Sequence, residues 1–449
     1  MLTFIGEKLG ILMPHSSSSS ASTSACTSVS NNEPRLKYKD YSSHCVNLRQ
    51  RDFKQLDNHC YLDMAGASPY PTPVIDSYTR DLTSNLYGNP HSNSSPSAIS
   101  TATRIQHARR RILQYFDADP SDFHLIFIKN ASEGIKLVGE MITSPEMEYW
   151  FLDDSHTSIV GLREMFGSNR WRCISSDIIF RLLDSPITDS TDNRKLLSFP
   201  AQSNFSGKRY PLHWIDGLRD RKVLTLLDAS SLVTTTRLSL KQNPADFTVL
   251  SLYKIFGFPT GVGCLIVRKP VVPLLNNRRR FFGGGTVAAL DVQSDFVVLR
   301  EDFASRYEDG TLSYLDIVAV HHSLDYFESN LDHTTISNHS IAVAQYLYDE
   351  LSFLVHSTSA KTPLIHFYSS RPLSSSQGPI ITFNLLKPNS EFVGFSTVSK
   401  LTNSANIHLR TGCFCNTGAC AAAFGLSSEQ IRKNSEVQIF CYLCRGILS

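Results

Sequence analysis

Residues 247–267 read FTVLSLYKIFGFPTGVGCLIV. Phe247 to Leu250 forms a short β-rich run, Ser251-Leu-Tyr-Lys254 a turn, and Cys264 to Val267 a second apolar strand. The intervening stretch is too rich in Gly, Pro and Thr to be read as a helix, and it presents Lys254 at the end of a buried strand. A lone lysine on a β-hairpin is ordinarily a solvated surface residue. Upstream, however, VLTLLDAS (223–230) is another apolar strand, and its acid is Asp228. An amine in an apolar pocket has its pKa lowered and can attack a carbonyl. A carboxylate at a neighbouring strand end can keep a pyridine nitrogen protonated. Two strands ending in Asp and Lys are what a pyridoxal 5'-phosphate site needs, the acid making the ring an electron sink and the lysine carrying the aldehyde.

Working outward, strands alternate with helices. His124 to Ile128 reads as a strand, followed by Lys-Asn-Ala-Ser-Glu-Gly and an amphipathic helix from Ile135 to Ile142. Such a turn offers free N–H groups and a positive helix end to an anion, so Asn130, Ala131 and Ser132 are candidates for a phosphate. The same residue types also serve as ordinary helix caps. Tyr149 to Leu152 leads into Asp-Asp-Ser-His156-Thr-Ser, where His156 suits either a cap or a ring stacked on an aromatic cofactor. Leu196 to Pro200 ends at Gln202-Ser-Asn204. Polar residues gathered at strand C-terminal ends indicate an α/β fold with a mostly parallel sheet and a site at that edge.

The chain has 449 residues, enough for a large α/β domain and a smaller one. A net charge of +2 argues against nucleic acid or a membrane surface as partner. No apolar run reaches the roughly 18 to 20 residues of a membrane-spanning helix. Residues 1–45, with their Ser run, read as disordered. Residues 46–328 are expected to form the large domain, its first residues packing with a small domain that spans 329–449. That smaller unit contains strands at Pro379 to Leu385 and Ile407 to Arg410. Ten scattered cysteines and no convincing secretory signal suggest a reducing, cytoplasmic setting with free thiols.

A second constellation is Arg410-Thr-Gly-Cys413-Phe-Cys415-Asn-Thr-Gly-Ala-Cys420, with Cys441 and Cys444 further on. Zinc sites favour paired C-x₂₋₄-C knuckles, and C-x-C without a nearby His fits them poorly, so no metal is expected. A reactive thiolate on a Gly-flanked loop next to Arg410 fits better. Spacing alone does not rank Cys413, Cys415 and Cys420.

With these blocks in hand, YLDMAGASPYP, YGNPHS, SEGIKLV, DSHTSIVGLRE, SLYKIFGFPTGVG, FFGGGTV, RYEDGT and LRTGCFCNTGAC together resemble the amino-terminal, cysteine-desulfurase-like part of molybdenum cofactor sulfurase. That family belongs to the class V, fold-type I pyridoxal-phosphate enzymes, and the resemblance covers residues 46 to 434. It implies Lys254 as Schiff-base lysine, Asp228 as pyridine-nitrogen partner and His156 as the ring stacked on the cofactor. Ser132 and Ser251, beside Ala131, fall at phosphate ligands, and Thr311 where a homodimer partner's phosphate is reached. Arg410 and Asn204 match positions for the substrate carboxylate, and Cys415 matches the persulfide cysteine. The implied reaction takes sulfur from L-cysteine, leaves alanine, and passes the sulfur to the molybdenum cofactor of xanthine dehydrogenase and aldehyde oxidase types. A general desulfurase for iron–sulfur assembly, or a cofactor-binding, dimerising paralogue without catalysis, are the rival readings. Met64 departs from the family's usual His, and Ser231 from the usual polar partner of the ring oxygen. The ending VQIFCYLCRGILS has no family match, and no MOSC domain is expected in this chain.

Overall fold

Near-continuous apolar runs such as Val223–Asp228 and Phe247–Ser251 need apolar cover on both faces, which is the signature of a strand inside a parallel sheet. The computed structural model describes residues 41–436 apart from 93, 187–193, 277–278, 358–361 and 373–374. Most of the Ser-rich segment and the ending with Cys441 and Cys444 lie outside the described residues.

Helix α1 (Ser43–Asp52) and strand β1 (Cys60–Tyr61) lead into α2 (Thr72–Ser84) and the long α3 (Pro96–Tyr115). Strand and helix then alternate through β2 (Phe123–Ile128), α4 (Ala131–Ile142), β3 (Glu148–Leu152), α5 (Thr157–Gly161), β4 (Trp171–Ile174) and α6 (Ser176–Asp184). They continue through β5 (Lys195–Pro200), α7 (Trp214–Arg219), β6 (Val223–Asp228), β7 (Phe247–Ser251), α8 (Tyr253–Phe256) and β8 (Gly263–Arg268). A hairpin of β9 (Val287–Leu290) and β10 (Val297–Leu299) precedes α9 (Phe303–Tyr307), α10 (Tyr314–Asn330) and α11 (His333–Ser352). The last elements are β11 (Ile365–Phe367), β12 (Phe383–Leu385), α12 (Phe395–Ser404), β13 (Ile407–His408), α13 (Thr417–Phe424) and α14 (Ser428–Glu436).

Seven strands form one sheet in the order β2-β8-β7-β6-β5-β3-β4. Strands β3 to β7 run parallel, whereas β8 is antiparallel to both β2 and β7. The fold is α/β with a mostly parallel sheet. Successive residues feed opposite faces: Leu226 and Val249 join Ile135, Val138 and Met141 of α4, while Leu227 and Leu250 join Trp214 of α7 and Val320 of α10. Each such side chain contributes roughly 1.5–3 kcal/mol by leaving water. A Cβ at Gly134 would stand 2.6 Å from the Ile128 Cδ1, so glycine there lets α4 settle on the sheet. Elsewhere β11 pairs with β12, and β1 pairs in parallel with β13, bringing the start of the described chain to its later part. Among the described residues no helix is long and apolar enough to cross a membrane.

Two local expectations change. Lys254 lies in the one-turn helix α8, because Gly257, at φ 76°, ends a helical turn rather than preventing one. The strand expected over Pro379–Leu385 begins only at Phe383, since Pro379 has no N–H for a ladder. Residues 303–307 form α9, which Asp302 caps by accepting from Ser305 N at 2.8 Å.

The sheet's β2 edge is tied down by a buried ion pair. Arg109 Nη1 lies 2.9 Å from Glu308 Oε1, with side chains 12% and 7% exposed, and the same oxygen accepts from Phe127 N at 2.8 Å. Glu308→Ala leaves a buried guanidinium and a buried N–H without their acceptor. It is expected to lower stability by about 3–5 kcal/mol in urea unfolding, and a change below about 1 kcal/mol would contradict this role.

Candidate active site

Strand register brings the polar turns to one edge. Ile128 pairs with Gly263, Gly263 with Ser251, Val249 with Asp228, and Asp228 with Pro200. The C-terminal ends of β2, β7, β6 and β5 therefore lie together where β8 begins. From this edge emerge Asn130–Ser132, Lys254, Asp228–Ser231, Gln202–Asn204 and, beyond β3, His156.

Lys254 is held in α8 partly through its carbonyl, which accepts from Ser68 Oγ at 2.6 Å. A Cβ at Gly257 would collide with the Pro69 carbonyl, so this turn packs tightly on 68–70. Burial pushes the Lys254 pKa down; the charges of Asp228, Cys415 and Asp63 pull it back up and that of Arg410 lowers it further. Among the described residues Lys254 forms no ion pair. Asp228 is buried, and its Oδ1 accepts from Ser230 N at 3.0 Å.

His156 caps α5: its Nδ1 accepts from Ser158 N at 3.1 Å, which places the neutral ring's proton on Nε2. Burial lowers its pKa, with Lys254 and Arg410 acting in the same direction and Asp228 opposing. The ring is thus neutral at neutral pH. Ser158 Oγ lies 3.0 Å from His156 Nδ1 and 2.6 Å from Ser132 Oγ. Ala131 N donates to Ser251 Oγ at 3.0 Å. Ser132, Ser251 and the N-terminus of α4 thus form a group of donors suited to an anion. Gln202 Nε2 donates to Ser231 Oγ at 3.2 Å, so Ser231 has a polar neighbour of its own. Thr311 is exposed, and it follows Gly310, whose N donates to Gly284 O at 2.8 Å.

The cysteine loop reaches the same edge. Cys415 O accepts from Thr157 N at 2.7 Å, directly beside His156. Gly412, Phe414 and Cys415 have φ of 95°, 53° and 57°; for Phe414 and Cys415 the left-handed region costs roughly 1–2 kcal/mol each. Cys415 is exposed. Cys413 and Cys420 are joined in a disulfide, which corrects the expectation of free thiols for that pair. Folding buries both sulfurs in one apolar cluster with Phe205, a proximity that their spacing of seven did not reveal. Cys45, Cys60, Cys173, Cys264 and Cys415 are free. Arg410 does not face the thiol unopposed, for its Nε lies 3.1 Å from Asp63 Oδ1. Asn204 donates through Nδ2 to Phe414 O at 2.7 Å. Sequence reasoning passed over Asp63, Asp154 and Asn416; only Asn416 carried a signal, as an Asn one residue before a helix.

These residues fit pyridoxal phosphate: an enclosed amine without an ion-pair partner, a buried carboxylate on the adjoining strand, a neutral imidazole, and donors at a helix N-terminus. Residues 60–428 match the aminotransferase class-V family. Molybdenum cofactor sulfurase of Homo sapiens is 38% identical over 91% of this chain and 48% of its own length. That of Bos taurus is 40% identical over 88% of this chain and 47% of its own. The chain spans about half the length of the relatives it matches. Among solved structures, the apo cysteine desulfurase of Thermococcus onnurineus is similar in fold, with a TM-score of 0.67, 18% identity, and coverage of 88% of this chain and 96% of that one.

The Lys254 shift has a consequence for stability. Burial favours the neutral amine, so between the lowered value and the ordinary lysine value the folded chain binds fewer protons than the unfolded one. Stability without cofactor therefore rises with pH through that window. Lys254→Met should flatten the rise in unfolding temperature measured from about pH 7 to 10, one group supplying at most about 1.4 kcal/mol per pH unit. An unchanged slope would contradict the assignment.

Proposed function

The chain belongs to the class-V aminotransferase family, and from that premise we propose that it is the cysteine-desulfurase part of a molybdenum cofactor sulfurase. The observation that carries the reading is the Thr157–Cys415 hydrogen bond, 2.7 Å long, which sets a free cysteine at the edge that holds Lys254, Asp228 and His156. Bound there, pyridoxal 5'-phosphate supplies a ring that takes up the electron pair left on an amino acid's Cα.

Lys254 Nζ would hold the aldehyde and, once free, would take up the Cα proton of L-cysteine, a role suited to an amine whose pKa burial lowers. Asp228 would hold the proton on the pyridine nitrogen, and the neutral His156 ring would lie against the cofactor. Ala131, Ser132 and Ser251 bind the phosphate, with Thr311 reaching the phosphate of a partner subunit in a homodimer. Arg410 and Asn204 take the substrate carboxylate. The Cys415 thiolate attacks the substrate sulfur. The Cβ–S bond breaks with its electrons going to Cβ, which takes a proton, and Lys254 returns the proton to Cα, leaving alanine and a persulfide on Cys415. The sulfur then passes to the molybdenum cofactor. The division into a large unit at 46–328 and a smaller one from 329, and a cytoplasmic location, belong to the same proposal.

Alanine release from L-cysteine, measured alongside the visible absorbance of bound cofactor, tests the residue roles. Lys254→Ala is expected to lose both signals. Asp228→Asn should keep some cofactor and lose roughly 10² to 10⁴ in rate. Cys415→Ser should keep the absorbance and release no alanine above background. Normal alanine release by Cys415→Ser would overturn the reading.

A further inference from the structure

Phe414 and Cys415 stand in backbone that residues with side chains avoid, so surrounding contacts must over-determine the loop. The Cys413–Cys420 disulfide closes it, and Thr157 N holds the Cys415 carbonyl. The remaining contacts form one chain of hydrogen bonds that begins at Asp154. Its Oδ1 accepts from Ser203 Oγ at 2.7 Å and from Asn416 Nδ2 at 2.7 Å, and its Oδ2 accepts from Tyr210 OH at 2.8 Å. Burial raises the Tyr210 pKa, with the Asp154 charge adding to it, so the phenol stays a donor.

Asn416 is fully buried. Its Nδ2 also donates to Asn204 Oδ1 at 3.1 Å, and its Oδ1 accepts from Ala419 N at 3.1 Å as the cap of α13. Asn204 in turn donates to the Phe414 carbonyl at 2.7 Å. Asp154 thus makes no hydrogen bond to the assigned Lys254, Asp228, His156 or Arg410, yet the side-chain hydrogen bonds of Asn416 and Asn204 beside Cys415 lead back to it. Its own anchor is firm, because Ser203 Oγ also accepts from Phe205 N at 3.2 Å and Ser206 N at 3.1 Å.

We infer that Asp154 is the positioning residue for Cys415: through Asn416 and Asn204 it fixes the left-handed turn that presents the thiol beside His156. The inference rests on the proposed reading of Cys415 as the sulfur-accepting residue. A carboxylate is needed because three donors converge on two oxygens; an amide would turn an N–H toward one of them.

The test uses the full chain loaded with pyridoxal phosphate and three variants: Asp154→Asn, Asn416→Asp and the exchanged pair D154N/N416D. In the exchanged pair the amide at 154 can donate to a carboxylate at 416, which can still cap α13 but no longer donates to Asn204 Oδ1, so recovery is expected to be partial. Alanine release gives kcat and KM, visible absorbance reports the cofactor, and iodoacetamide labelling mapped by mass spectrometry compares Cys415 with the exposed Cys173 of the same molecule. Each single variant is expected to keep the absorbance and a KM within about two-fold, while kcat falls about 10- to 100-fold as the nucleophile is displaced. The Cys415-to-Cys173 labelling ratio should change in each single variant and return in part in the exchanged pair, with kcat recovering in part. The inference is overturned if the single variants leave kcat and the labelling ratio unchanged, if the loss follows lost absorbance, or if the exchanged pair is no better than the singles. If Cys415→Ser still forms alanine, the functional reading fails, and the labelling ratio alone still decides whether Asp154 holds the loop.

Discussion

An amine kept from water is shifted toward its neutral form, and burial at the sheet edge lowers the Lys254 pKa in that way. Everything else at the site is arranged around that constraint. Asp228 brings negative charge from the adjoining strand without neutralising the amine in an ion pair, and His156 is itself held neutral by burial. The register Asp228–Val249 and Ser251–Gly263 sets these groups level, so the site is a property of strand alignment before it is a property of any loop. A one-residue slip would turn Asp228 to the other face of the sheet.

The second requirement is that a nucleophile from a distant part of the chain arrive at this edge. The main chain does part of that, through Thr157 N and the Cys415 carbonyl, and buried polar side chains do the rest. Asn416, fully buried, is stable there only because its amide donors and acceptor are matched by Asp154, Asn204 and Ala419; a half-satisfied network would cost more than an apolar contact. The disulfide beside Cys415 limits the loop further, and the aromatic cluster around Phe205 and Phe414 packs against it. The thiol is therefore exposed on a loop whose backbone is nonetheless specified.

Much of this was legible in the residues themselves. Alternating strands and helices gave the sheet, and apolar runs ending in Asp228 and before Lys254 gave the acid–lysine pair, because strand ends and their turn residues are encoded locally. The one-turn helix at Lys254 was missed, since Gly257 can either break or end a turn and the sequence does not distinguish the two. Asp63, Asp154 and Asn416 were not legible. Asp63 meets Arg410 across nearly the whole described chain, and Asp154 meets Asn416 across a separation of 262 residues, which no local pattern reports. The Cys413–Cys420 pairing was hidden for a related reason: the same spacing suits a free thiol, a metal ligand or a disulfide.

The central claim is that this edge delivers sulfur to Cys415, and the most direct measurement follows the sulfur atom. The cofactor-loaded chain would be incubated with sulfur-labelled L-cysteine, cleaved with trypsin without reductant, and the tryptic peptide that begins at Thr411 fragmented in the mass spectrometer. The account predicts one labelled sulfur, attached to Cys415 and removed by a thiol, with the Cys413–Cys420 link intact. Label on Cys413, Cys420 or Cys173, or no protein-bound label while alanine accumulates, would contradict it.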